Sequence, residues 1–233
     1  MNKNVKKLLN LQEIDNTTRE KKRRINRLEE RVENLKNEIE VIKDREEERE
    51  EDLAKLKQDS EEKNRKVDNL QDQIDKYRKR LDEGIISFKE TEALEEKIQH
   101  SMDRMEKLED EAIDIMMKID RTEAKREKQK AEAKSKVEGK KDTIEELEAK
   151  KDGLLQELKE LKKEREDVLS EIPDRLIDQY NRLRASTNTP VVQVKNRVCQ
   201  GCQMSVSKNT VKQARSDQGL ATCENCSRIL YIR

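Results

Sequence analysis

The sequence predicts a mainly α-helical fold: a long antiparallel coiled-coil hairpin followed by a small C-terminal module built around four cysteines. Three observations carry this. Of the 233 residues only 31% are hydrophobic and 45% are charged, too little apolar surface for a thick globular core. Apolar residues nevertheless keep a heptad phase over many turns, which a disordered chain would not do. All four cysteines fall in two C-x-x-C pairs near the end of the chain.

The first arm is read from Ile25, Leu28, Val32, Leu35, Ile39 and Ile42, spaced 3-4-3-4-3. The same phase continues through Glu46, Arg49, Leu53, Leu56, Ser60, Lys63, Val67, Leu70, Ile74, Tyr77 and Leu81. Four of those positions are polar, yet the register never skips. It breaks at Asp82–Phe88, where Gly84 is the first glycine and Ser87 with Glu90 has the spacing of a capping box. No proline precedes Pro173, so no residue of either arm lacks the backbone N–H that a helix needs.

A second helical pattern follows: Leu94, Ile98, Met105, Leu108, Ala112, Ile115 and Ile119, then Ile144, Leu147, Leu154, Leu158, Leu161, Val168 and Ile172. Its phase slips near Ala133–Gly139, which predicts a kink or local unwinding. Arms 1–82 and 88–172 are nearly equal about a tip at 83–87, favouring an antiparallel hairpin (1–172) over one continuous helix in a parallel dimer. In the hairpin, facing positions sum to roughly 172. That places Glu46 near Arg126, Arg49 near Glu123 and Lys63 near Glu109, as pairs that fix register. Pro173 ends the long helix or starts a short one. Leu176, Ile177, Tyr180 and Leu183 suit a short amphipathic helix over 173–185.

From 186 to 233 the texture changes. Ser186–Pro190 reads as a linker, Val191–Val198 as a strand running into the first cysteine pair, and Leu230–Ile232 as a strand leaving the second. Cys199-x2-Cys202 and Cys223-x2-Cys226 bring four sulfurs to one tetrahedron, which suits zinc. Redox-active pairs and an iron–sulfur centre are the other readings of such cysteines. Gly201 is expected to supply the tight backbone of the first turn, and Asn225 with Ser227 that of the second. Four thiolates close the coordination sphere, so one Zn2+ would be structural and would fold a module too small to rely on its core.

Charge sets limits on function. The chain carries 53 basic and 53 acidic residues, which argues against a chain-wide polyanion-binding surface. Within the module, Lys195, Arg197, Lys208, Lys212, Arg215, Arg228 and Arg233 outnumber Asp217 and Glu224, leaving it mildly basic even with four thiolates on zinc. No apolar run approaches the length of a membrane span, and the start lacks the apolar region of a signal peptide, so a cytoplasmic protein is expected. His100, the only histidine, reads as solvated surface. Met102, Met105, Met116 and Met117 read as seam filling and its neighbours. No phosphate-binding loop, nucleophilic triad or paired catalytic carboxylates is visible, and two helices offer little concavity, so no enzyme is expected.

The segments Asn196-Arg197-Val198-Cys199-Gln200-Gly201-Cys202 and Cys223-Glu224-Asn225-Cys226-Ser227-Arg228-Ile229-Leu230-Tyr231 resemble the bacterial four-cysteine zinc-ribbon family with an N-terminal coiled-coil hairpin. Phe88-Lys89-Glu90-Thr91-Glu92-Ala93-Leu94 resembles that family's hairpin tip, with Thr91 where an aromatic often follows the basic-acidic pair. The resemblance implies a hook-like hairpin with a terminal zinc ribbon. It also implies an adaptor role, since members are linked to the sigma-54 factor and to flagellar or type III secretion systems. Gly84, Ser87, Phe88, Lys89 and Glu90 would then form a contact surface at the tip. Two other readings stay open. Lys195, Arg197, Lys208, Lys212, Arg215 and Arg228 could contact the phosphates of RNA or DNA, with Tyr231 for stacking. Alternatively Asp82, Glu83 and Glu90 could make an acidic tip that enters a polymerase channel.

Overall fold

A computed structural model describes residues 2–84, 87–216 and 219–232. Ile85 and Ile86 of the expected tip, and Asp217 and Arg233 of the charge tally, lie outside the described residues. Two long helices dominate: α1 (Lys3–Glu83) and α2 (Phe88–Ser170), followed by α3 (Asp174–Ser186). The C-terminal module contributes β1 (Val191–Lys195), β2 (Val198–Cys199), α4 (Lys208–Arg215), β3 (Ala221–Thr222) and β4 (Ile229–Tyr231). The chain divides into two units, Asn34–Thr143 and residues 1–33 with 144–233.

Within the 34–143 unit, α1 and α2 run antiparallel along a heptad seam. Leu35, Ile39, Leu53, Ser60, Leu70 and Ile74 are buried from α1, and Leu94, Ser101, Ala112 and Ile115 from α2. Most other expected seam positions are half-buried; Arg49 is the exception, exposed and paired with Glu46 one turn back on its own helix. The expected cross-arm pairs are therefore displaced. Arg126 pairs with Glu50 rather than Glu46, Glu123 with Lys57 rather than Arg49 (2.6 Å), and Lys63 with Glu111 rather than Glu109. Lys140 pairs with Glu38 in the same manner. A long cation rooted at the seam runs its methylenes along apolar surface and puts its charge at the rim. Arg126, Lys63 and Lys140 do this and meet acids beside the opposing seam, whereas Lys57 lies outside the seam and reaches Glu123 across the surface. The pairs are still exposed at the rim, worth at most about 1 kcal/mol each.

The phase slip in α2 is real, but the helix does not break. Val137 and Ile144 turn inward where unbroken alternation would give Lys136 and Thr143, both exposed. One step of four thus replaces a step of three. Such an added residue unwinds the supercoil locally while leaving α-helical hydrogen bonding intact.

At the other unit the buried sector of α1 widens. Val5, Leu8, Leu11, Ile14 and Asp15 are all buried, more than a two-helix seam requires. The cause is α3, which packs on the ends of both long helices. Leu8 and Leu11 cluster with Ile172 and Tyr180, and with Val191 and Ile229 of the strands. Pro173 heads α3, and its carbonyl accepts from Leu176 N (2.8 Å) and Ile177 N (3.2 Å).

Asp15 is the hub of this junction. Its side chain is only 3% exposed and carries a charge. Arg165 Nε of α2 donates to Oδ1 at 2.8 Å, Tyr180 OH of α3 donates to Oδ2 at 3.0 Å, and Arg184 of α3 pairs with the same oxygen. One carboxylate thereby ties three helices. Burial pushes the Tyr180 phenol up to about 12. Above the ordinary phenol value of about 10 the unfolded chain ionises this tyrosine while the folded chain holds its proton. Stability is therefore expected to fall between about pH 10 and 12, and Tyr180→Phe to flatten that slope, read from chemical melts across the range.

The small sheet has the order β2-β1-β4-β3, with β1 and β4 parallel and the other pairs antiparallel. Its two faces do different jobs, as the two-residue period of a strand allows. Val192, Val194 and Leu230 point into the module's own core with Cys199, Val206, Ala214, Ala221 and Cys223. Val191, Ile229 and Tyr231 point the other way, into the cluster with Leu8 and Tyr180. The residues read as a linker are consequently pinned: Ser186 still belongs to α3, Pro190 is buried, and Val191 N donates to Gln12 Oε1 at 2.7 Å.

Candidate metal centre

The run read as one strand into the first cysteine pair folds back on itself. Asn196 (φ 53°) and Arg197 (φ 60°) form a two-residue turn, and Val194 faces Cys199 across it. Two left-handed residues in a two-residue hairpin make a type I′ turn, whose twist matches the strands. This brings Cys199 onto a strand end and starts the first knuckle.

The two knuckles are built alike. In the first, Gln203 N donates to Cys199 O (2.8 Å) and Cys199 N to Met204 O (2.9 Å). In the second, Ser227 N donates to Cys223 O (2.9 Å) and Cys223 N to Arg228 O (2.9 Å). The left-handed residue sits four after the first cysteine in both: Gln203 (φ 61°) and Ser227 (φ 60°). Gly201 and Asn225 lie in the two turns as expected, and the Gly201 amide favours the Cys199 thiolate, but neither is the left-handed residue. Gly201 is needed for space. A Cβ there would lie 2.5 Å from Arg228 Nη1 and 2.6 Å from its Cδ, because the Arg228 side chain crosses the knuckle and donates to Thr187 Oγ1 at 2.8 Å. Gly201→Ala is expected to cost roughly 1–3 kcal/mol as Arg228 is displaced. Thermal melts of the single variant, of Arg228→Ala and of the double variant test this. The glycine substitution should lose most of its cost once Arg228 is gone.

Four sulfurs converge. Cys199 Sγ lies 3.9 Å from Cys226 Sγ, Cys202 Sγ lies 3.7 Å from Cys223 Sγ, and all four lie within 4.8 Å of one another. A disulfide needs about 2.05 Å, so these are thiols and not bridges. A tetrahedron with metal–sulfur bonds of about 2.3 Å has edges of about 3.8 Å, matching the two short separations. Burial pushes the Cys199 thiol up and the Cys226 thiol up to about 12, so the sulfurs need a cation to share the site as thiolates. Backbone amides assist: those of Cys202 and Gly201 favour the Cys199 thiolate, that of Arg228 the Cys226 thiolate, and that of Met204 holds Cys202 down to about 7. The set fits one Zn2+ with no position left for water or substrate, which makes the metal structural.

A second device was not foreseen. Ser207 caps α4, accepting from Thr210 N at 3.2 Å. Glu224, inside the second knuckle, accepts from the Thr210 hydroxyl and from Ser207 N, and the Thr210 hydroxyl foremost holds its carboxyl down to about 2. The helix thus clamps the knuckle. Helix α4 and β3 were missed because each is very short; the Ser207-x-x-Thr210 cap was the only local signal for α4.

The other expected contact residues separate into two groups. Lys195, Arg197, Lys208, Lys212 and Arg215 are exposed. Arg228 is half-buried and engaged with Thr187, and Tyr231 is half-buried against the helix cluster, so neither presents a free surface. At the hairpin tip the capping box forms: Ser87 N donates to Glu90 Oε2 (3.2 Å) and Glu90 N to Ser87 Oγ (3.4 Å). Gly84, Lys89 and Glu90 are exposed, and Phe88 is 86% exposed.

Known proteins share this architecture. The family model for the CT398-like coiled coil hairpin domain matches residues 11–188, and that for the C4-type zinc ribbon domain matches residues 198–230. CT398 from Chlamydia trachomatis is 23% identical with a TM-score of 0.86, over 98% of this chain and 97% of that one. A Mycobacterium smegmatis protein is 18% identical with a TM-score of 0.64, over 100% of both chains. HP0958 from Helicobacter pylori is 21% identical with a TM-score of 0.53, over 100% of this chain and 98% of that one. At these identities the likeness shows the fold alone. No curated protein matches the chain significantly. No helix among the described residues is long and apolar enough to cross a membrane. With the hairpin model covering most of the chain and the four-sulfur site in place, the chain belongs to the family of CT398-like coiled-coil hairpins and carries a C4-type zinc ribbon.

Proposed function

We propose that the protein is a non-enzymatic cytoplasmic adaptor that binds a sigma-54-type factor or a component of a flagellar or type III secretion apparatus. The observation that carries an adaptor role is Phe88, the chain's single phenylalanine, left 86% exposed beside a formed capping box. A rigid cap holding out a large apolar ring is suited to insertion into a partner's pocket. The closed zinc site supports the same reading, since it offers structure and no reactive position. The choice of sigma factor or secretion component rests on the resemblance of the ribbon and tip segments.

Affinity capture from the native cytoplasm tests this with the wild type, Phe88→Ala and Cys199→Ser. A sigma factor or secretion component retained by the wild type and lost with either variant is the expected result. The same partners surviving both changes would mean that neither tip nor ribbon is the contact surface, and the reading fails.

Direct nucleic-acid binding has narrower support. Lys208, Lys212 and Arg215 share one exposed face of α4, so phosphate contact is available. Base stacking is not offered by Tyr231. Binding of this kind would fall steeply with salt. The polymerase-channel reading is weaker still, because Glu90 is committed to the cap and Glu83 pairs with Lys79.

A further inference from the structure

The outer side of α2 carries an apolar patch that the hairpin does not use. Ile113 and Met116 are each 54% exposed and Met117 is 45% exposed, while Met102, 37% exposed, already accepts from Arg78 Nη2 of α1 at its sulfur (3.8 Å). Steps of three and four place them on one side of the helix, while their neighbours Ala112 and Ile115 are buried in the seam. Of the four helical methionines, only Met105 reaches the seam, where it is half-buried. Along the rod of this unit, away from the tip, the other exposed large apolar residue is Val41, and one alone is ordinary for a surface. Three within one turn are not.

The surroundings of the patch are predominantly acidic. Followed in steps of three and four, the outward stripe reads Glu106, Glu109, Asp110, Ile113, Met116, Met117 and Asp120. Its outer edge adds Lys107, Asp114 and Arg121, so acids outnumber bases on this side of the helix. Glu111 and Glu123, on the flanks of the seam, pair with Lys63 and Lys57. Glu106, Glu109, Asp110 and Asp120 have no ion-pair partner among the described residues. In a chain with equal numbers of acids and bases, this side of the helix keeps a net negative charge.

We propose that this face docks a basic amphipathic helix of a partner protein, laid alongside α2 as a third strand of the coiled coil. The apolar centre would take the partner's apolar seam, and the four carboxylates its flanking lysines or arginines. From Glu106 to Asp120 the apolar centre and its flanking acids span about 21 Å of helix, so a partner helix of roughly 15–20 residues covers them. Methionine side chains adapt to differing surfaces, so the face suits a class of sequences more than one shape. A second copy of this chain is a poor occupant. An antiparallel copy sets Glu106 and Asp110 near Asp120, and a parallel copy sets each acid against itself. Nucleic acid and anionic lipid are repelled by the same charges. The stripe includes no residue of the tip or the ribbon, so this inference stands whether or not the adaptor reading does.

The test uses the full zinc-loaded chain with methyl-labelled methionines. The probe is an 18-residue Leu/Lys peptide with leucines at helical spacing of about 3.6, and the control has the same composition with the leucines shuffled out of phase. The in-phase peptide is expected to shift the Met116 and Met117 methyl signals and leave Met204 still. The triple variant Ile113→Gln, Met116→Gln, Met117→Gln is expected to weaken its binding at least about tenfold, with Val41→Gln unchanged. Equal binding of the shuffled peptide would reduce the effect to bulk charge and overturn the proposal. So would shifts centred on Met204, no binding at all, or a wild-type dimer that the triple variant dissolves.

Discussion

Removing zinc is expected to unfold the ribbon and to loosen the helices beneath it. A four-thiolate zinc contributes on the order of 10 kcal/mol to a small module of this kind. The ribbon's own core is a handful of small side chains around Cys199 and Cys223, so little else would hold it. The effect should not stop at residue 190. Val191, Ile229 and Tyr231 share an apolar cluster with Val5, Leu8, Leu11, Ile172 and Tyr180, and losing the strands uncovers them. Amide exchange after chelation, or in Cys199→Ser, is the measurement. Protection should vanish over 191–231 and fall over 5–14 and 172–183, with 34–143 unchanged. Protection retained across 191–231 would mean that the metal is dispensable to the fold.

The second large effect is expected at Asp15. Asp15→Ala leaves Arg165, Arg184 and the Tyr180 hydroxyl without their shared acceptor, the phenol buried and the two arginine side chains 31% and 25% exposed. Breaking a buried pair from one side costs roughly 3–5 kcal/mol, far more than any exposed pair on the rod. Asp15→Asn keeps the shape and an acceptor for Tyr180 but loses the charge, so its cost should be smaller. Urea melts of the two variants against the wild type measure both. A loss under about 1 kcal/mol for Asp15→Ala would show that the hub does not carry the junction.

The hairpin was legible because its signal is repetitive. A heptad phase held from Ile25 to Leu81 needs no knowledge of distant residues, and Ser87 with Glu90 marks a helix start by local chemistry alone. The zinc ligands were legible for the same reason, since two C-x-x-C pairs leave few alternatives. What failed was everything that depends on a third partner. The charge pairs slid because long side chains reach to the rim, which a count of facing positions ignores. Asp15 looked like one more acid on a charged helix, and only α3, arriving more than 150 residues later, buries it. Gly201 was read for its backbone alone, and the space that Arg228 needs over it was not legible, because the two are far apart in sequence. Of the two left-handed knuckle residues, Ser227 had been placed at the second turn, but Gln203 gives no hint by its type; only the equivalence of the two knuckles could have located it. Tyr231 and Arg228 looked like surface residues because the sheet's second face was not foreseen.

X-ray absorption at the zinc edge on the purified full chain tests the closed structural site most directly. One zinc per chain with four sulfurs at about 2.3 Å and no lighter neighbour is the expected result. Three sulfurs with an oxygen or nitrogen in the fourth position would contradict it, because an open position is what a catalytic or exchangeable metal requires.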